Sequence, residues 1–156
     1  PYYLTLHASG GEEMLRAASD AAHEAAARLA VIPPRLLAVT VLTSLDESDM
    51  AAQGVSGTAG DQVVRLAELA RRAGIDGIVS SPHEIAAVRA ACGKSFDIVV
   101  PGIRPTSGTT QDQKRVMTPS KAVHAGANAL VIGRPITGAN NPTQAAAAIR
   151  AEVDAA

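Results

Sequence analysis

Two turns place glycine beside arginine at the end of an apolar run. Pro101-Gly102-Ile103-Arg104 follows Asp97-Ile98-Val99-Val100, and Gly133-Arg134-Pro135 follows Ala129-Leu130-Val131-Ile132. Glycine leaves backbone N–H groups unobstructed, and a guanidinium presents a rigid fork of donors. The pair suits a dianion such as a phosphate. Two such turns on successive strand units match the phosphate site that barrel enzymes build from the loops after their last two strands. Arg134, held between Val-Ile-Gly and Pro135, is badly placed for an exposed ion pair and well placed for that anion. Arg104 serves either as a second anion contact or as a brace for its loop.

Other polar residues gather where apolar runs stop: His7, Thr43, Ser44, Ser80 and Ser81. In parallel α/β folds that edge is where ligands bind. Each residue also has a structural reading. Thr43-Ser44 is a ligand contact or the cap of a helix starting at Asp46. Ser80-Ser81, before Pro82, reads as an N-cap. His7, before a Gly-Gly turn, is an acid–base group or a core histidine bonded to backbone. No His-Glu-x-x-His, paired cysteines, Gly-x-Ser-x-Gly elbow or Gly-x-Gly-x-x-Gly fingerprint occurs, so no metal or organic cofactor is expected.

The elements that must position these residues follow from periodicity. Tyr2 to His7 alternates as a strand, and a helix is predicted from Glu12 to Leu29 with Leu15, Ala18, Ala22, Ala25 and Leu29 on one face. Leu36 to Leu42 is apolar on both faces, as in a parallel strand covered by helices. A short helix begins at Asp46 and stops at Gly54; another runs from Asp61 to Arg72. Ile75 to Ser80 is a strand, Glu84 to Ala91 a helix, and Asp97 to Val100 a strand. A polar loop from Gly102 to Met117 is long for such a connection and reads as a functional lid. Thr118-Pro119 opens a helix ending near Gly126, Asn128 to Ile132 is the fifth strand, and Asn141-Pro142 starts the last helix.

Five β/α repeats imply right-handed parallel crossovers. Two architectures remain open: a doubly wound sheet, complete with five strands, and a (β/α)8 TIM barrel, which needs three further units and about 250 residues. The two phosphate turns favour the barrel. The chain opens on a strand, as though the start of a domain were absent.

The 156 residues are 47% apolar, enough for one core, and the net charge is −1. One domain spanning 1–156 is expected. The charge pattern argues against a nucleic-acid or acidic-membrane partner, and no apolar run is long enough to span a bilayer. A single cysteine, Cys92 in an alanine-rich helix, fits a reducing cytoplasm and reads as a packing residue rather than a nucleophile.

The motifs His7-Ala8-Ser9-Gly10-Gly11, Val41-Leu42-Thr43-Ser44, Gly77-Ile78-Val79-Ser80-Ser81, Pro101-Gly102-Ile103-Arg104-Pro105, Asp112-Gln113-Lys114-Arg115 and Val131-Ile132-Gly133-Arg134-Pro135-Ile136-Thr137, in this order, cover nearly the whole chain. The sequence resembles the orotidine 5′-phosphate decarboxylase family, bacterial type. The resemblance implies a homodimeric (β/α)8 barrel that makes UMP from orotidine 5′-phosphate without metal or organic cofactor. It implies that Gly133 and Arg134 hold the phosphate and that Arg104 lies near it. Gln113 would reach phosphate and base, Thr43 and Ser44 would bond the pyrimidine's amide edge, and Thr106 to Val116 would form the closing lid.

The family pattern also calls for Asp-x-Lys-x-x-Asp on the strand before His-Ala-Ser-Gly-Gly, where the lysine protonates the carbanion left by CO₂. The only Asp-x-Lys here, Asp112-Gln113-Lys114, lacks the second aspartate and lies in the lid. The chain therefore reads as about strands 4–8 of the barrel, with no catalytic residue of its own and no activity alone. The alternatives are a related sugar-phosphate decarboxylase or synthase, and a non-catalytic nucleotide-binding module.

Overall fold

The structure is a computed structural model that describes residues 1–105 and 117–156. Its frame is a parallel five-stranded sheet: β1 (Tyr3–His7), β2 (Arg35–Val39), β3 (Gly77–Val79), β4 (Asp97–Val100) and β5 (Ala129–Leu130). The strands lie side by side in chain order. A doubly wound sheet reverses its strand order at a switch point. Here no reversal occurs, so the winding is single, as in a barrel.

The register aligns Thr5 with Leu37, Leu37 with Gly77, Gly77 with Asp97, and Val99 with Ala129. Residues two apart along a strand share a face. One face therefore carries Leu36, Ala38, Ile78, Ile98 and Val100, all members of the core cluster, with Leu6 and Leu130 half-buried against it. The helices α1 (Glu12–Leu29), α3 (Ala59–Arg72) and α4 (Ile85–Cys92) supply Leu15, Val63, Ala67, Ala70, Ile85 and Val88 to the same cluster. The opposite face carries Thr5, Leu37, Gly77, Val79 and Val99.

Local signals account for most boundaries. Asp46 caps α2 (Glu47–Ala52) by accepting from the N–H groups of Ser48 and Asp49, both at 3.0 Å. Thr58 and Asp61 form a capping box on α3, so that helix starts two residues before the predicted Asp61. Asn141 caps α7 (Pro142–Asp154) through Gln144 N–H at 3.0 Å. Gly93, at φ 84°, closes α4 in a backbone region that disfavours side chains. Thr118 precedes α5 (Pro119–His124) but forms no side-chain cap bond there.

Three predictions shift. Three strands are shorter than their apolar runs: β2 ends at Val39 rather than Leu42, β3 spans Gly77–Val79 rather than Ile75 to Ser80, and β5 has two residues rather than five. The three-residue β3 offers no ladder partner beyond Val79, so β2 leaves the sheet there. In α1 the buried positions are Leu15, Ser19 and Ala26, while Leu29 is 67% exposed. Eighteen helical residues span about 27 Å and a five-residue strand about 16 Å, so the helix overruns the sheet. A short helix, α6 (Arg134–Thr137), follows β5 after three intervening residues, where the sequence suggests only a turn.

Gly77 shows how closely the sheet is built. A Cβ added there would lie 2.4 Å from the Asp97 carbonyl oxygen. Gly77→Ala is expected to destabilise the chain by about 1–3 kcal/mol, read as a lower urea midpoint at unchanged slope. An unchanged midpoint would mean that β3 and β4 do not hold this spacing.

Candidate functional site at the carboxyl rim

Because all strands are parallel, the segments that leave them share one rim. Backbone bonds continue past the strands and stiffen it. Thr40 donates to the Val79 carbonyl from both its N–H (3.1 Å) and its Oγ1 (2.8 Å). Ser80 N–H reaches the Val99 carbonyl at 3.2 Å, and Val131 N–H reaches that of Val100 at 2.9 Å. A hydroxyl that doubles a ladder bond at a strand end resists fraying there, so the side chains beyond it sit on fixed backbone.

Above β2, β3 and β4 this rim encloses a cavity of about 290 Å³. Val39, Val41, Val79 and Pro101 form its apolar wall, and Thr43, Ser44 and Ser80 bring hydroxyls to it. That volume lies near the lower bound of about 300 Å³ for small-molecule clefts.

Of the residues singled out from sequence, Thr43 and Ser44 meet in this cavity, with Thr43 buried and Ser44 exposed. The helix-cap alternative for them falls away, because Asp46 caps α2. The Ser80-Ser81 pair divides. Ser81 Oγ accepts from His83 N–H at 3.3 Å and caps the turn at Pro82, while Ser80 lines the cavity and donates to the Ser81 carbonyl at 3.1 Å. Ser80 is the cavity hydroxyl that the motif reading misses. Its signal was a serine one residue past a strand end, with the cap role already filled by its neighbour.

Arg104 and Arg134 both emerge at the carboxyl rim, after β4 and β5, and neither lines the cavity. Arg104 is buried; its guanidinium donates to the Ile103 carbonyl at 2.8 Å, and its backbone N–H to that of Met117 at 3.0 Å. These bonds fit the brace. Gly133 is the N-cap residue of α6 and Arg134 its first residue, both exposed. His7 ends β1 exposed, which removes the reading of a core histidine. Gln113, Asp112, Lys114 and the predicted lid from Thr106 to Val116 lie outside the described residues.

The amino rim carries a separate polar group. Arg35 Nε donates to Asp97 at 2.7 Å, Tyr3 Oη donates to the same oxygen at 3.4 Å, and Asp76 accepts from Leu36 N–H at 2.7 Å. Burial, and then the Asp97 carboxylate, push the Tyr3 phenol above its ordinary pKa. Tyr3, Arg35 and Asp97 are first residues of their strands, so these groups brace the floor far from the rim cavity. Among the described residues no group of three His, Cys, Asp or Glu is arranged to hold a metal ion. None of their helices is long and apolar enough to cross a membrane.

Residues 2–149 match the sequence profile of the Orotidine 5'-phosphate decarboxylase / HUMPS family. A curated orotidine 5'-phosphate decarboxylase of Rhodospirillum rubrum is 52% identical over 153 residues, which is 98% of this chain and 62% of that protein. The Paramagnetospirillum magneticum enzyme of the same name is 54% identical over 149 residues, covering 96% of this chain and 63% of its own length. The crystal structure of the Lactobacillus acidophilus orotidine 5'-phosphate decarboxylase superposes with a TM-score of 0.78 at 36% identity, over 97% of this chain and 62% of that one. The chain thus spans about three fifths of the length of the relatives it matches. Its five β/α units are part of a (β/α)8 barrel.

Cys92 ends α4, half-buried and on the amino side of the sheet, and burial raises its thiol pKa. Less thiolate forms at neutral pH, so alkylation by iodoacetamide at pH 7.5 should run slower in the native chain than after denaturation in urea. Equal rates would contradict a packing role.

Proposed function

The chain belongs to the orotidine 5'-phosphate decarboxylase / HUMPS family, and from that premise we propose that it is the nucleotide-holding part of an enzyme that decarboxylates orotidine 5′-phosphate to UMP in pyrimidine biosynthesis. The observation that supports this reading is the rim cavity, lined both by apolar Val39, Val41, Val79 and Pro101 and by the hydroxyl-bearing Thr43, Ser44 and Ser80. A pyrimidine has that duality, with two flat apolar faces and an edge of alternating carbonyl and N–H groups. In this reading Thr43 and Ser44 bond that edge. Gly133 and Arg134 hold the phosphate, Arg104 steadies the adjoining loop near it, and Gln113 spans phosphate and base.

Binding a non-reacting phosphate contributes to catalysis only if that energy is expressed in the transition state. Loss of CO₂ leaves a carbanion on the ring, which needs a nearby cation and a proton. In this reading both come from an Asp-x-Lys-x-x-Asp motif, a pattern that the 156 residues do not contain. The assembled enzyme works as a homodimer in the cytoplasm, without metal or organic cofactor.

Calorimetric titration tests the reading. The 156-residue chain is expected to bind UMP more tightly than uridine and to release no CO₂ from orotidine 5′-phosphate. Arg134→Ala should weaken UMP by roughly 10–100-fold, the worth of a charge-assisted contact of about 1.5–3 kcal/mol, and leave uridine unchanged. Wild-type affinity for UMP in that variant would remove the phosphate site from Arg134.

A further inference from the structure

One carbonyl at the carboxyl rim is held twice by the same residue. The Val79 carbonyl, at the end of β3, accepts from the Thr40 N–H at 3.1 Å and from Thr40 Oγ1 at 2.8 Å. A carbonyl oxygen has two lone pairs, so both bonds fit it. The N–H by itself already keeps this acceptor from going unpaired. The hydroxyl is therefore surplus to satisfying the backbone, and its effect lies in what it holds in place.

Both ends of that bond border the rim cavity. Val79 and Ser80 line it where β3 stops, and Val41, Thr43 and Ser44 line it beyond β2. Thr40 is buried and lines none of it, although Val39 and Val41 on either side do. Successive side chains in extended backbone alternate between faces, so Thr40 stands behind the wall that its neighbours present. The pairing of β2 with β3 goes no further than Val39 and Val79, which puts the doubled bond at the end of the ladder. Past Thr43 and Ser44 the chain is fixed again, where Leu45 N–H returns to the Leu42 carbonyl at 3.1 Å and Asp46 caps α2. The two residues thus hang between two anchors. Thr40 is the anchor that ties them to the facing wall.

We propose that the Thr40 hydroxyl is a positioning group for the nucleoside end of the site. It holds the Thr43–Ser44 segment at a fixed spacing from the end of β3 and does not touch the ligand. The inference rests on the nucleotide reading given above and adds to it a residue that acts through Thr43 and Ser44. Without the tie, a ligand must order that segment as it binds, and the cost is subtracted from affinity. Arg134 follows β5, with β4 between that strand and β3, so the phosphate contact does not depend on the tie. The loss should therefore be the same for a nucleoside and its phosphate.

The test is calorimetric titration of Thr40→Val and Thr40→Ser chains with uridine and with UMP. Thr40→Val keeps the branched shape and the backbone bond to Val79 and removes the hydroxyl alone. It should weaken uridine and UMP by one common factor of roughly 2–10, the worth of a single hydrogen bond. Thr40→Ser, which retains the hydroxyl, should bind both as the wild type does. Amide exchange at residues 42–45 should quicken in Thr40→Val and stay unchanged at residues 98–100. Circular dichroism and melting confirm that each variant is folded at the titration temperature. A hydroxyl with only a structural task would lower the melting temperature and leave uridine affinity intact, which would overturn the proposal. A loss confined to UMP, or a Thr40→Ser chain as weak as Thr40→Val, would overturn it too. Failure of the wild-type chain to bind either ligand would remove the nucleotide reading and this inference together, whereas equal binding by wild type and Thr40→Val would remove this inference alone.

Discussion

Every strand of the sheet runs the same way, and a parallel ladder carries that direction into everything attached to it. Thr5, Leu37, Gly77 and Asp97 lie level across four strands. The residue that follows each strand must then emerge on one rim, and the residue that opens it on the other. Thr43, Ser44, Ser80, Arg104 and Arg134 are scattered over some ninety positions of sequence, yet they share an edge for this reason alone. A single antiparallel strand would divide them between the two ends. The chemistry assigned to the rim therefore depends on the ladder before it depends on any side chain.

The two rims are built for different work. At the amino side, Arg35, Asp97, Tyr3 and Asp76 spend their polar atoms on one another and on backbone, the usual state of a group with a structural task. At the carboxyl side, Thr40 ties β2 to β3 by two bonds to one carbonyl, just below the cavity. The hydroxyls of Thr43, Ser44 and Ser80 thus rest on backbone that is already stitched, which limits the ordering a ligand must impose. Between the rims lies an apolar layer, packed on its helix-bearing face by residues of α1, α3 and α4.

Local chemistry was legible wherever it was self-contained. Asp46 and Asn141 cap the helices they precede, Gly93 ends α4, and the α1 limits coincide with the periodicity, because each of these contacts is local in sequence. Strand ends were not legible, because a strand stops where its neighbour stops and the neighbour lies forty residues away. Leu36 to Leu42 remains apolar beyond Val39, but β3 has nothing left to pair with it. The exposure of Leu29 has a similar origin, since its spacing is helical but the sheet beneath it has ended.

Residue order was enough to establish five β/α repeats, the glycine–arginine turns and the family likeness, all of which are properties of contiguous segments. The string of elements fits a doubly wound and a singly wound sheet alike; the glycine–arginine turns and the family likeness pointed to the barrel, and the spatial order β1-β2-β3-β4-β5 bears that out. Folding likewise sorted Ser80 from Ser81 and turned Asp97 into the partner of Arg35. A cavity wall and an ion pair each need residues that are remote in sequence to arrive at one place, and their identities carry no record of which strand will lie alongside.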